Sequence, residues 1–155
     1  MIIALICVCL VVALDQVTKF LIYGTATRSI LGNIVWFEST LNTGVAFSMF
    51  SGAGIVFIVI SSLASVLMLY LIISNRFFKT KFEKITLGVI LGGTIGNLID
   101  RIAFQGVRDF IYLKFINFAI FNVADMAITL GVIVLCVYYL VVTIKKEKNN
   151  KNDRA

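Results

Sequence analysis

The sequence predicts an all-α membrane protein: four transmembrane helices, with a small extracytoplasmic β-rich cradle between helices 1 and 2. Three observations carry this prediction. The 155 residues are 60% hydrophobic and only 14% charged, with no proline, whereas a soluble domain is about 25% charged. Mean hydropathy is +1.01, so the chain would expose more apolar surface than water tolerates. The apolar residues also fall in four separate runs, at about residues 2–23, 53–74, 85–104 and 120–144. Each run is about 20 residues or more, which matches a hydrocarbon core of about 30 Å at 1.5 Å per residue.

The first run could be mistaken for a cleavable leader. It has no basic stretch before it and no small-x-small site, and it carries Asp15 and Lys19, so it reads as a retained span. Without proline, no span is kinked by that route. Gly88, Gly92 and Gly96 recur every four residues in the third run; they form a small-residue face on which another helix can pack closely.

Loop charges set the orientation. Arg76, Lys79, Lys81 and Lys84 separate spans two and three, and Lys145, Lys146, Lys148, Lys151 and Arg154 follow span four. The other two loops hold only Arg28, and Arg108 with Lys114. Positive charge favours the cytoplasmic side, so both termini are expected there. The domain reading is a single four-span unit over residues 1–144, followed by a disordered basic tail over 145–155.

Residues 33–50 read NIVWFESTLNTGVAFSMF. The segment is rich in β-branched and aromatic residues, and Asn42-Thr43-Gly44 gives a turn signal. A short hairpin or small sheet resting on the outer surface is expected, with Trp36 as an interfacial anchor.

Several function classes fall away. The net charge of +6 sits in cytoplasmic-type patches and no nucleic-acid motif accompanies it. There is no histidine, which removes His-based catalysis and His metal sites. Cys7, Cys9 and Cys136 lie within apolar runs and read as packing residues, not as a disulfide framework or zinc site.

The remaining signal is polar residues inside the spans, which are costly in a membrane. Helix 1 enters from the cytoplasm, so Asp15 lies about 20 Å up, and Asn97, Asp100 and Arg101 lie about 18–24 Å up helix 3. Asn122 and Asp125 open helix 4, and Asp109 follows span three. Carboxylates from separate parts of the chain thus converge on one outer layer. Asp15 with Lys19, Asn97 with Asp100 and Arg101, and Asn122 with Asp125 are each spaced to share a helix face. Two carboxyls in a low-dielectric pocket cannot easily both ionise, so one proton is shared and the pair can supply both base and acid. That chemistry suits peptide hydrolysis without a metal or cofactor. Three other readings stay open on the residues alone. One is a small proton-coupled transporter, although its acids would sit nearer the midplane. The second is a serine/lysine protease using Lys19 with Ser39, Ser48 or Ser51. The third is an inactive scaffold.

The motifs resemble one family throughout nearly the whole chain. Asp15-Gln16-Val17-Thr18-Lys19, Asn42-Thr43-Gly44-Val45-Ala46-Phe47, Gly96-Asn97-Leu98-Ile99-Asp100-Arg101, Val107-Arg108-Asp109-Phe110 and Phe121-Asn122-Val123-Ala124-Asp125 resemble, in order, the DQxTK, NxGAAF, GNxxDR, VxDF and FNxAD motifs of the lipoprotein signal peptidases. Val45 departs from the common alanine, a change expected to affect pocket shape and not chemistry. The resemblance implies an aspartic endopeptidase with Asp109 and Asp125 as the catalytic pair. Asn97, Asp100, Arg101 and Asn122 would line or brace the site, and Asp15, Lys19, Asn42 and Gly44 would support it or position substrate. The implied substrate is a diacylglyceryl-modified prolipoprotein, cut just before the lipid-bearing cysteine. No cofactor or metal is implied. The expected setting is the bacterial cytoplasmic membrane, with membrane lipid around a monomer and the active site near the outer leaflet.

The loop charges generate a first prediction. Single cysteines in a variant lacking the native three should be protected from an impermeant reagent at Lys81 and labelled at Arg28. Labelling of Lys81→Cys, or protection of Arg28→Cys, in intact cells would reverse the orientation.

Overall fold

The computed structural model describes residues 1–32, 34–44 and 54–152. Four helices, α1 (Ile2–Ile22), α2 (Gly54–Ser74), α3 (Lys81–Phe104) and α4 (Val123–Asn152), form the bundle. All four are long and apolar enough to cross a membrane. Three strands, β1 (Arg28–Leu31), β2 (Val35–Asn42) and β3 (Val107–Leu113), form an antiparallel sheet in the order β1-β2-β3.

α3 is the central helix. Half of its apolar window is buried inside the protein, against 11% for α1 and 6% each for α2 and α4. It packs on all three other helices. Local chemistry fixes its ends. Thr80 caps the first turn by accepting from the Glu83 amide, and the Glu83 carboxylate accepts from the Thr80 amide, a reciprocal box that satisfies two otherwise orphan donors. Gln105 closes the helix in a left-handed conformation at φ 59°.

The glycine face does what its spacing predicts. A Cβ at Gly88 would lie 2.5 Å from the Ala4 carbonyl oxygen, one at Gly92 2.7 Å from Val11 Cβ, and one at Gly96 2.5 Å from Asp15 Oδ2. α1 therefore rests directly on the α3 backbone along this stripe. The packed apolar residues below it include Ala4, Val8, Ile72, Leu87 and Leu91.

The sheet differs from the expected hairpin in two respects. The chain reverses between the end of β1 at Leu31 and the start of β2 at Val35, not at Asn42-Thr43-Gly44. That second segment is still a turn, in which the Gly44 amide donates to Asn42 Oδ1 at 3.0 Å, but it ends β2. The sheet also takes a third strand from beyond α3, so it is not confined to the α1–α2 connection. β2 pairs with β3 through Thr40↔Asp109 and Asn42↔Val107. β3 in turn holds Phe121, whose carbonyl accepts from the Phe110 and Ile111 amides at 3.1 and 2.8 Å.

Helix limits shift by a few residues from the apolar runs. α3 starts at Lys81 because its cap is polar. α4 starts at Val123 and continues to Asn152, through a basic segment that composition alone marks as disordered. Val45-Ala46-Phe47, Ser48, Ser51 and Arg154 lie outside the described residues.

The close α1–α3 approach predicts that Gly92→Ile, which drives a side chain into Val8 and Val11, lowers stability by about 1–3 kcal/mol or more. Val132→Ile, on a 45%-exposed position of α4, should change little. Thermal unfolding in detergent distinguishes them, and equal melting temperatures would contradict the packing.

Candidate active site

Lys19 organises the polar interior. Its side chain is fully buried. An ammonium has three donors and no acceptor, and three acceptors meet it: Asp15 Oδ2 at 2.8 Å, Asn97 Oδ1 at 2.9 Å and Asp100 Oδ2 at 3.4 Å. Asp100 also receives Arg108, through Nη2 to Oδ1 at 2.8 Å and Nε to Oδ2 at 3.1 Å, with the Arg108 amide donating to Oδ2 at 2.9 Å. This two-pronged fit is the strong geometry for guanidinium and carboxylate. Gln16 knits the group together. Its Nε2 donates to Asp15 and Asp100 at 3.1 Å each, and its Oε1 accepts from Arg108 at 3.0 Å. Two cations thus face two carboxylates, a balanced cluster. Asp15 also reaches α4, where its Oδ1 accepts from the Ala124 amide at 2.9 Å.

Asp109 and Asp125 are partnered differently. Asp109 is 1% exposed. Asn122 Nδ2 donates to its Oδ1 at 2.5 Å and Asn42 Nδ2 to its Oδ2 at 3.1 Å. The Asn42 contact follows from register. Asn42 lies two residues along β2 from Thr40, the direct partner of Asp109, so it shares Thr40's face. Asp125 accepts from Asn97 Nδ2 at 2.7 Å and from the Asn122 amide at 3.2 Å. The Asp125 amide returns a hydrogen bond to Asn122 Oδ1 at 2.9 Å, so Asn122 and Asp125 form a capping box at the start of α4. Neither aspartate makes an ion pair among the described residues. Their direct partners are neutral amides, and those amides are shared, since Asn122 Nδ2 also donates to Asn97 Oδ1 at 3.1 Å.

The Lys19 ammonium fixes the polarity of this relay. It can only donate, so Asn97 must turn its oxygen to Lys19 and its amide hydrogens to Asp125. Burial raises the pKa of Asp109, the neighbouring Asp125 charge raises it further, and it stands at about 7. Both carboxyls line one cavity of about 280 Å³ with Asn42, Gly44, Arg101 and Phe118. An adjoining apolar recess of about 290 Å³ runs from Asp125 along Leu113, Phe121 and Met126. Arg101 supplies a cation to the shared cavity while its guanidinium lies over the Phe57 ring at 5.7 Å.

All ten residues singled out from the sequence, Asp15, Lys19, Asn42, Gly44, Asn97, Asp100, Arg101, Asp109, Asn122 and Asp125, fall in this network or line its cavity. Two members were missed, Gln16 and Arg108. Arg108 stands in the sequence as a loop charge and within the Val107–Phe110 motif with no site role of its own, although its position beside a buried aspartate and eight residues after another is a usable signal. Ser39 does not approach Lys19; it accepts from the Gly24 amide at 2.9 Å and donates to the Ile22 carbonyl. Among the described residues, no group of three or more Cys, Asp or Glu side chains is arranged to hold a metal ion.

Fold and site together define a class: a multi-pass membrane protein that encloses a pair of carboxyls, held by neutral amides, toward one end of its bundle. A family model described as signal peptidase (SPase) II matches residues 7–141. The lipoprotein signal peptidase of Enterococcus faecalis is 37% identical over 148 residues, covering 92% of this chain and 90% of its own. That of Shouchella clausii is 39% identical over 127 residues, covering 79% and 83%. A solved structure described as a bacterial membrane enzyme superposes with a TM-score of 0.83 at 29% identity, over 92% of this chain and 90% of that one. A second with the same description gives 0.77 at 28% identity, over 88% and 92%. The chain belongs to the signal peptidase II family.

The balanced cluster makes a stability prediction. Lys19→Met leaves Asp15 and Asp100 buried beside a single remaining cation, and breaking such a pairing costs about 3–5 kcal/mol. Arg108→Gln, at a side chain 12% exposed, should cost less. Melting curves of the purified variants test the order; a Lys19→Met protein as stable as wild type would show that the cluster does not hold the bundle.

Proposed function

We propose that the protein removes the signal peptide from diacylglyceryl-modified prolipoproteins, cutting just before the lipid-bearing cysteine with Asp109 and Asp125 as an aspartyl pair. Family membership supports the substrate class. The observation that carries the chemistry is the difference between the two sets of aspartates. Asp15 and Asp100 are ion-paired with Lys19 and Arg108, which suits them to holding the fold. Asp109 and Asp125 share a cavity and meet only amides, so one proton between them is the favourable arrangement.

The steps follow from that state. The ionised member takes a proton from a water as it attacks the scissile carbonyl. The protonated member hydrogen-bonds the carbonyl oxygen and stabilises the charge that develops there. Collapse returns a proton to the leaving amine. Asn97 and Asn122 hold the carboxyls in place without supplying a cation that would lock both in the charged form. Arg101, on the cavity wall, steadies negative charge in the pocket. Two carboxyls suffice for this hydrolysis, so the reaction is expected to proceed without metal or cofactor. The proton belongs to the pair, and its two ionisations are macroscopic.

The loop charges favour both termini in the cytoplasm, with the sheet as an outer cradle and the pair near the outer leaflet. A diacylglyceryl substrate could then leave its chains in lipid while its peptide lies over β2 and β3. The recess along Leu113, Phe121 and Met126 offers an apolar approach to Asp125. The protein is expected to work as a monomer.

Asp109→Asn and Asp125→Asn should each abolish cleavage of a lipid-modified lipobox peptide, a loss of at least about 10²–10⁴ in rate, while the protein still inserts and purifies. Asp15→Asn and Asn42→Ala should weaken folding or substrate binding and leave some turnover. Appreciable cleavage by either pair variant, or chelator-sensitive cleavage restored by a divalent cation, would exclude the mechanism.

The pKa of Asp109, raised from 3.8 to about 7, sets the pH dependence. Between those values the folded state keeps a proton that the unfolded chain has lost. Stability therefore falls as pH rises through that window and levels off above it. Activity should lose its alkaline limb near pH 7 as the shared proton leaves, giving a bell-shaped kcat/KM profile. A profile flat from pH 5 to 9 would rule out a shared proton.

A further inference from the structure

We propose that the protein carries an anionic phospholipid site at the opposite end of the bundle from Asp109 and Asp125. The lipid phosphate lies between Lys81 and Lys84, and an acyl chain lies along Ile2, Ile3 and Ile85. A cavity of about 350 Å³ opens there between the first turns of α1 and α3, with Lys81 and Lys84 on one wall and Ile2, Ile3 and Ile85 on the others. The two lysines are three residues apart on α3 and so share a face. No carboxylate lines the cavity.

Lys84 makes this more than a pair of surface charges. It is 6% exposed. Its ammonium donates to Asn75 Oδ1, a neutral acceptor, and it forms no ion pair among the described residues. The adjacent acid, Glu83, is already committed. Its Oε2 accepts from the Lys79 and Thr80 amides and the Thr80 hydroxyl, and its Oε1 from the Tyr139 hydroxyl. A buried cation without a counter-ion is unfavourable, and an external anion would relieve it. The surrounding segment 75–85 adds Arg76, Lys79 and Lys81 against Glu83 alone.

The walls decide which anion fits. Ile2 and Ile3 are 70% and 54% exposed on a helix apolar enough to span a membrane, so they face lipid. A free phosphate would satisfy the lysines and leave these walls uncovered; a phospholipid satisfies both. Lysine presents a compact charge suited to a phosphate, and basic pockets between spanning helices take anionic headgroups. The cavity is also preformed, because the Ala4 carbonyl rests against Gly88 and fixes α1 at this end.

Native mass spectrometry of the full chain tests the site, using equimolar phosphatidylglycerol and phosphatidylcholine with identical acyl chains. Phosphatidylglycerol should be retained preferentially. Lys81→Gln, at an exposed side chain whose loss leaves the fold intact, should reduce that preference about fivefold. Lys81→Gln with Lys84→Gln should erase it, and Lys84→Arg should keep most of it. Lys114→Gln, at a cation elsewhere, should leave it unchanged. Equal retention of the two lipids, a preference that survives the double substitution, or displacement of phosphatidylglycerol by millimolar inorganic phosphate would overturn the proposal.

Discussion

A charge with no route to water governs this structure. Lys19 is fully enclosed, and an enclosed ammonium is tolerable only if every donor is met and the charge is balanced nearby. Both conditions are satisfied by side chains from other elements. Asp15 lies one turn back on α1, Asp100 and Asn97 come from α3, and Arg108 from β3 closes the account on Asp100. Asp15 then takes the Ala124 amide of α4. Meeting one cation therefore ties three helices and a strand to a common point. Gly96 permits it, because a Cβ there would lie 2.5 Å from Asp15 Oδ2.

The same cation divides four buried or half-buried aspartates into two kinds. Those that touch Lys19 or Arg108 are ion-paired and tie the fold together. Those one hydrogen bond further out take amides as their hydrogen-bond partners. Asn97 is the boundary, with its oxygen on Lys19 and its nitrogen on Asp125. Asn122 does similar double duty, capping α4 while donating to Asp109. An amide orients a carboxyl without neutralising it, so burial is free to push Asp109 up to about 7. A lysine at either position would pin the carboxyl in its charged form. The fold thus pairs Lys19 and Arg108 with Asp15 and Asp100, and leaves Asp109 and Asp125 on amide partners with Arg101 on their cavity wall.

Much of this was legible in the sequence, and what was not has a physical cause. Length and apolarity placed the spans to within a few residues, because a membrane admits few alternatives. Helical rise placed the polar residues at one depth. Spacing could not say which two of Asp15, Asp100, Asp109 and Asp125 would be left without cations; only the resemblance named the pair, and the partners in space give a physical reason for it. The third strand was missed although Val107, Phe110, Ile111 and Tyr112 are strand-formers, because its pairing partner lies some 65 to 78 residues away across two helices. Local pattern carries no information about such a partner. Gln16 was hidden for a related reason: a glutamine beside an aspartate has no periodicity to reveal three partners on α3 and β3. The basic end of α4 was read as disordered from composition, yet a helix already nucleated for five turns extends cheaply.

α3 supplies the scale that relates the two ends of the molecule. From Lys84 to Asn97 and Asp100 is 13 and 16 residues, about 20 and 24 Å of helix, within a hydrocarbon core of about 30 Å. If the Lys81–Lys84 end sat at one headgroup layer, Asn97 and Asp100 would lie toward the far side of that core. Such a depth would suit charges that are balanced, as Lys19 and Arg108 are by Asp15 and Asp100. The sheet closes the same end of the bundle, where β2 and β3 supply Asn42 and Asp109 to the pocket. α3 thus joins the basic end at Lys81 and Lys84 to the polar cluster at Asn97 and Asp100 through one continuous helix.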